Sequence, residues 1–341
     1  MQTLLITEPD SEGISRAGEI LRAGGLVVFP TETVYGLGAS AIDEGAAAKI
    51  FAAKGRPADN PLIVHLAEPA DAERYAVVCP LFFKLAERFM PGPLTVILPR
   101  REVIPVTVTA GLDTVALRVP SHPVAHALIV AAGVPVAAPS ANISGRPSPT
   151  TPRHAIENMY GRADCIIAAG DCDYGVESTV VKIEGEGVVL LRPGAVTPEM
   201  LAEVCPVKLS ETLNRPVGES VAPESPGMKY RHYAPDVPMY ILDGSDEAVY
   251  EFLRDKDDCA VICFDGDREL LAREHAFSLG DRADSASHAH RLFAILNDIN
   301  TQAHDGKIKA VYARMTPAGG VGLAVFNRLI KAAGYNVIKL D

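Results

Sequence analysis

A short segment, KGRPADNPLIVH at residues 54–65, gathers two cations, Lys54 and Arg56, a stiffening Pro57, the amide of Asn60 and the imidazole of His65. Groups of these types offset phosphate charge and bond neutral oxygens. Two cations closing a helix also suit the helix dipole, so the segment by itself does not separate a ligand site from a helix end. Small hydroxyls and amides recur in PTET (Thr31, Thr33) and in PSANISG (Ser140, Asn142, Ser144), and single arginines stand in ALRVP (Arg118) and LLRPG (Arg192). Taken one at a time, such hydroxyls also build turns and caps. The stretch GLGASA at 36–41 fits a dinucleotide-binding glycine pattern. Residues 30–35 separate it from the apolar run before it, however, and that fingerprint needs its glycines in the turn directly after a strand, so these glycines are expected only to shape a turn. No GxSxG elbow, activated-cysteine signature or paired acid/base constellation is present.

These groups need a scaffold, and the apolar pattern supplies one. Short buried runs alternate with amphipathic stretches: TLLIT, a helix from Ser11 as its cap to Gly24, LVVF, a helix ending near Lys54, LIVHLA, helical material over 69–89, LTVILP, VALRVP, a helix over 123–132 and VPVAA. PTET and PSANISG each follow an apolar run. In open α/β sheets that is where ligand crevices form, beyond the carboxyl ends of strands. STVVKIEG and GVVLLRPG, joined across residues 185–187, predict a hairpin. Residues 206–236 lose periodicity and are rich in Pro, Gly and Ser, which predicts a linker between a domain at 1–205 and a smaller α/β domain at 237–341.

The chain has 341 residues, a formal net charge of -11 and 48% hydrophobic residues. That charge excludes a general binder of polyanions, so any nucleic-acid contact needs a local patch. With no leader-like N-terminus and no long uncharged apolar run, the expected location is the cytoplasm, with no membrane contact. Six scattered cysteines form no zinc spacing, and no dedicated metal site is expected.

Taken together and in order, FPTETVYGLG, KGRPADNPLIVH, MPGPLTVIL, ALRVP, PSANISG, GVESTV and LLRPG resemble the YrdC-like threonylcarbamoyl-AMP synthases. The likeness continues through SPGMKYRHYAPD into a second domain, as in the long form of that family. The resemblance implies a twisted, open, mixed sheet with flanking helices and a Rossmann-like C-terminal domain. It also implies an enzyme that joins L-threonine, bicarbonate and ATP, with Mg2+ accompanying the nucleotide, for the t6A modification of tRNA. Other proteins would receive the product, and a weak direct tRNA contact stays open. Carried over by position, the ATP contacts fall on Lys54, Arg56, Asn60, Thr114, Ser140, Asn142, Ser148 and Arg192, with either Tyr230 or Tyr233 of the linker, which in the long form crosses the site. The threonine contacts fall on Thr33, His65, Arg118, Ala138 and Ser178, with Lys54, Arg56 and Arg118 carrying the chemistry. The competing readings are a carbamoyl transferase of the hydrogenase-maturation type, which needs zinc-binding cysteine pairs not visible here, and a non-catalytic RNA-binding module, which the acidic total disfavours.

Overall fold

Alternation along each strand divides the apolar residues between two faces, and the protein is built from two sheets covered on both. A computed structural model describes residues 2–215, 233–271, 274–304 and 306–340. The larger sheet holds β1 (Leu4–Ile6), β2 (Val27–Phe29), β3 (Gly36–Ser40), β4 (Ile63–His65), β5 (Leu94–Pro99), β6 (Thr114–Arg118), β7 (Val136–Ala137), β8 (Cys165–Ile167), β9 (Thr179–Glu184), β10 (Gly187–Arg192) and β11 (Val207–Leu209). Their order is β1-β8-β2-β3-β7-β4-β6-β5-β9-β10-β11, a mixture of parallel and antiparallel pairs. On one face, Val28, Val64, Val96, Leu117 and Val181 pack with Ile50 and Phe51 of the helix Glu44–Lys54. On the other, Val27 and Phe29 pack with Leu21 and Leu128 from the helices Ser11–Arg22 and Pro123–Ala132.

The smaller sheet is wholly parallel: β12 (Met239–Asp243), β13 (Cys259–Cys263), β14 (Ala276–Ser278), β15 (Ala310–Arg314) and β16 (Val337–Lys339), in the order β14-β13-β15-β12-β16. Here Ile241, Ile262 and Ala313 face the helices Ser285–Ala303 and Gly322–Ala332, while Leu242 and Val261 face the helix Asp246–Leu253. This is the doubly wound arrangement expected of the second domain. Among the described residues no helix is long and apolar enough to cross a membrane.

Several local expectations are corrected. Asp10, not Ser11, caps the first helix, its carboxylate accepting from Gly13 N at 2.8 Å. The helical material over 69–89 is broken into Pro69–Asp71, Ala72–Tyr75 and Pro80–Phe89. The glycines of GLGAS do not shape a turn: they form β3, antiparallel to β2. A Cβ on Gly38 would lie 2.8 Å from both Phe29 Cε1 and Val136 Cγ1, so the side-chain packing beneath the strand demands glycine. The sheet also gains β8, which the pattern did not announce, and β11, formed by the first residues of the stretch read as linker.

The two sheets approach closely. At Gly175, with φ +71°, a Cβ would lie 2.5 Å from Ala289 O and His290 Cα of the second domain's long helix, so both its backbone conformation and that contact require glycine. Buried bonds cross the same boundary, from Asn297 Nδ2 to Ser148 O at 3.1 Å and from Arg328 Nε to Glu177 Oε2 at 3.1 Å.

Candidate active site

With Val64, Leu117, Val96 and Val181 turned into the main core, the intervening residues Ile63, His65, Ala116, Arg118, Ile97 and Val180 occupy the opposite face. The parallel register of β4 and β6 sets His65 directly beside Arg118. Ile63, His65 and Arg118 of this face floor a cleft of about 720 Å³, counting the space at its mouth. Thr31 and Thr33, after β2, and Ala138 and Ser140, after β7, form walls that follow carboxyl ends of strands as expected. His65 and Arg118 are the last residues of β4 and β6, so the floor too lies at carboxyl ends of strands. Lys54 and Arg56 close one side at the end of their helix, and Glu177, Ser178, Arg192 and Tyr233 close another.

Arg118 is 4% exposed and its Nη2 donates to Glu32 Oε1 at 2.7 Å. Burial acts to raise the Glu32 pKa, but the Arg118 charge and hydrogen bond outweigh it and hold the carboxyl below its ordinary value. The pair is incomplete: Arg118 Nε and Glu32 Oε2 are buried with no hydrogen-bond partner among the described residues. Thr31 Oγ1 donates to Val34 O at 2.7 Å and lies 2.9 Å from Thr33 Oγ1, a local turn that fixes both hydroxyls in the cleft wall.

Lys54 Nζ reaches neutral oxygens of the PSANISG loop: Ser140 O at 2.5 Å, Asn142 O at 2.6 Å and Asn142 Oδ1 at 3.4 Å. Burial, helped by the neighbouring Arg56 charge, drives its pKa well below the ordinary 10.5. Arg192 donates through Nε to Ser178 O at 3.0 Å and through Nη2 to Ser178 Oγ at 3.1 Å, and burial lowers its pKa to about 10. Ser178 Oγ also meets Thr95 Oγ1 at 2.7 Å.

His65 is 3% exposed, with Nδ1 3.2 Å from Ile63 O, and burial followed by the Arg118 charge lowers its pKa to about 3. The imidazole is therefore neutral at physiological pH and too weak a base to take protons there. Below its ordinary value of 6.5 the unfolded chain binds a proton at His65 that the folded chain refuses, so this residue lowers stability as pH falls from 6.5 towards 3. His65→Gln is expected to flatten the stability profile over that window by up to about 1.4 kcal/mol per pH unit. Urea unfolding of wild type and variant between pH 7 and pH 4 measures the difference, and parallel profiles would contradict it.

The cleft thus brings together Thr33, Lys54, Arg56, His65, Arg118, Ala138, Ser140, Asn142, Ser178, Arg192 and Tyr233. Three anticipated residues do not line it. Thr114 opens β6, about 13 Å along the strand from Arg118 at ~3.3 Å per residue. Ser148 is fully buried behind Glu177, to whose Oε1 it donates at 2.7 Å. Asn60 is buried behind Arg56, whose Nη2 donates to its carbonyl at 3.1 Å, and both atoms of its side-chain amide lack a partner among the described residues. Of the two tyrosines, Tyr230 lies outside the described residues, while Tyr233 lines the cleft with its ring 5.0 Å from Phe293. The residues that sequence reasoning passed over are Glu32, Glu177 and Arg328. Glu32 and Glu177 stood inside quoted motifs, as carboxylates among cations. The signal for Arg328 was weaker, one of two cations, with Lys331, in a mainly apolar helical stretch.

A family model described as "Telomere recombination", covering Sua5, YciO and YrdC proteins, matches residues 19–194, and one described as "Threonylcarbamoyl-AMP synthase, C-terminal domain" matches 196–334. A threonylcarbamoyl-AMP synthase of Pyrococcus abyssi is 44% identical over 336 residues, 95% of each chain. This chain belongs to that family. The synthase of Bacillus subtilis is 42% identical over 333 residues, covering 96% of this chain and 94% of the other. The crystal structure of P. abyssi Sua5 complexed with L-threonine superposes over the whole of both chains with a TM-score of 0.89 at 40% identity. The family's fold, a mixed sheet with a second parallel α/β domain, is the fold described above.

Proposed function

We propose that this protein condenses L-threonine, CO2 drawn from bicarbonate, and ATP into L-threonylcarbamoyladenylate, with release of pyrophosphate. One observation carries the reading: a single cleft places a buried arginine, with an unpaired Nε, beside a bank of cations and amides suited to a triphosphate. Arg118 binds the threonine carboxylate, and Thr33 and Ser178 supply hydroxyls at the cleft walls for the amino acid's remaining polar groups. The free amine forms an N–C bond to CO2 and loses a proton to water, giving a carbamate. One carbamate oxygen then bonds to the α-phosphorus as the bond to the β-phosphate oxygen breaks, and the electron pair leaves with pyrophosphate. Lys54, Arg56 and Arg192 neutralise charge on the phosphates as it redistributes, which makes catalysis a matter of alignment and electrostatics. His65 contributes as a neutral hydrogen-bonding group.

Mg2+ would come with ATP and offset part of its phosphate charge. The cleft's carboxylates are already committed to arginines, Glu32 to Arg118 and Glu177 to Arg328, and among the described residues no group of three acidic, His or Cys side chains is arranged for a metal. No step above runs through the ion. The product, a mixed anhydride, is handed to proteins that transfer the threonylcarbamoyl group to a tRNA adenosine, and the setting is the cytoplasm.

Pyrophosphate release measured with each component omitted in turn tests the proposal. Full rate is expected only with ATP, L-threonine and bicarbonate together, and turnover that ignores threonine would sink it.

A further inference from the structure

Glu177 is a carboxylate at the wall of a cleft built for polyanions, which is an unfavourable place for a negative charge. Its environment shows how that charge is managed. Glu177 Oε1 accepts from Ser148 Oγ at 2.7 Å, Oε2 accepts from Arg328 Nε at 3.1 Å, and the Tyr233 hydroxyl also bonds the carboxylate. Arg328 comes from the second domain, near the middle of the helix Gly322–Ala332, and is fully buried. Its Nη1 donates to Pro193 O at 2.5 Å and its Nη2 to Glu177 O at 3.4 Å. One guanidinium therefore ties the segment leading into β9 to the segment leaving β10. The first carries Ser178 beside Glu177, and the second carries Arg192 beside Pro193. Arg192 closes the loop by donating to Ser178 O and Oγ.

Two consequences follow from charge and geometry. With Arg328 in place, the Glu177 carboxylate is neutralised chiefly from behind the cleft, with the Arg192 charge as the smaller contribution. Without Arg328, the buried carboxylate would be left to the other cations that interact with it, Arg192 and Lys331 among them, and the Arg192 charge would be shared between it and the triphosphate. We infer that Arg328 is a positioning residue of the nucleotide site, and that the second domain serves the reaction by supplying it. Through Glu177 and Pro193, Arg328 sets Arg192 and Tyr233 for the triphosphate, while the end of the cleft that takes the threonine carboxylate, Arg118 with Glu32, lies outside the residues it ties together; Ser178 is the one threonine contact among them. The inference rests on the synthase reading for the identity of the two ligands.

The test uses the full chain, titrated by calorimetry with a non-hydrolysable ATP analogue and separately with L-threonine, alongside steady-state pyrophosphate release. Arg328→Gln is expected to weaken analogue binding at least tenfold and raise KM for ATP in parallel, with threonine Kd within threefold of wild type. Adding Glu177→Gln to Arg328→Gln removes the uncompensated carboxylate and is expected to return analogue Kd to within threefold of wild type, a rescue that a purely structural staple would not give. Should Arg328→Gln fail to fold, Arg328→Lys keeps the charge but loses the three-point grip, and at least a threefold weakening for the analogue alone is expected. Analogue affinity within a factor of two to three of wild type in a folded Gln variant, or in the Lys variant standing in for it, overturns the inference. So does equal weakening of both ligands that Glu177→Gln leaves unrelieved. Wild-type protein that binds the analogue yet releases no pyrophosphate with threonine and bicarbonate would instead refute the synthase reading, and the binding arms would still judge Arg328.

Discussion

Arg118→Ala is expected to eliminate threonine-dependent pyrophosphate release. On the function proposed above the residue has two partners to satisfy, the Glu32 carboxylate at 2.7 Å and the substrate carboxylate at its otherwise unpaired Nε. Losing a charge-assisted contact in a buried site costs on the order of 3 kcal/mol, or about a hundredfold in threonine affinity. Removing Arg118 also leaves Glu32 as a buried carboxylate without its cation, which destabilises by roughly 3–5 kcal/mol. Activity and stability would then fall together, and the loss of turnover alone would not identify a substrate contact. Replacing Glu32 and Arg118 together by glutamine removes both charges and lets one amide bond the other. That double variant is expected to regain most of the lost stability, to keep ATP-analogue binding, and still to bind threonine at least a hundredfold more weakly in calorimetry. Threonine affinity near that of wild type in the folded double variant would take Arg118 out of the substrate site.

The second large effect belongs to Lys54. Its ammonium is 2% exposed and bonded to three neutral oxygens of the loop that carries Ser140 and Asn142. A buried cation held by dipoles gains most from the arrival of an anion, since the desolvation is already complete before the phosphates enter. Lys54→Met preserves length and removes the charge, and is expected to lower kcat/KM for ATP by about 10²–10³-fold, with threonine affinity within threefold of wild type. The sign of the pH dependence follows from the depressed pKa. The charged form is the one that binds phosphate, so analogue affinity should decline as pH rises through the folded-state value, at a pH well below 10.5, and this decline should be missing in Lys54→Met. Isothermal titrations across the alkaline range read both effects. A variant with unchanged ATP kinetics would show that the lysine only braces the loop.

The candidate site was legible to an unusual depth because its residues sit in short contiguous motifs. PTET, KGRPADN, PSANISG and ALRVP each name their groups, and the strands before PTET and PSANISG, the helix ending near Lys54 and the strand that holds ALRVP could be read from the apolar pattern. Thr114 shows the limit of reading by position. It shares a strand with Arg118, but four residues of extended chain carry it away from the cleft. Gly36 and Gly38 show another limit: a glycine-rich stretch without branched or aromatic residues reads as a turn, and only the crowding of Phe29 and Val136 beneath it explains why the strand has no side chains there.

What the sequence determined by itself was the α/β class of both domains, the order of nearly all elements and the chemical character of the site, because period-two and helical patterns are local and each motif keeps its groups within a few residues. What only the tertiary structure decided was which carboxylates sit beside which arginines. Glu32 and Arg118 are 86 residues apart and Glu177 and Arg328 are 151 apart, so no local pattern could pair them. Burial makes those pairings matter, since a carboxylate taken out of water must find its cation wherever the fold brings one, even from another domain.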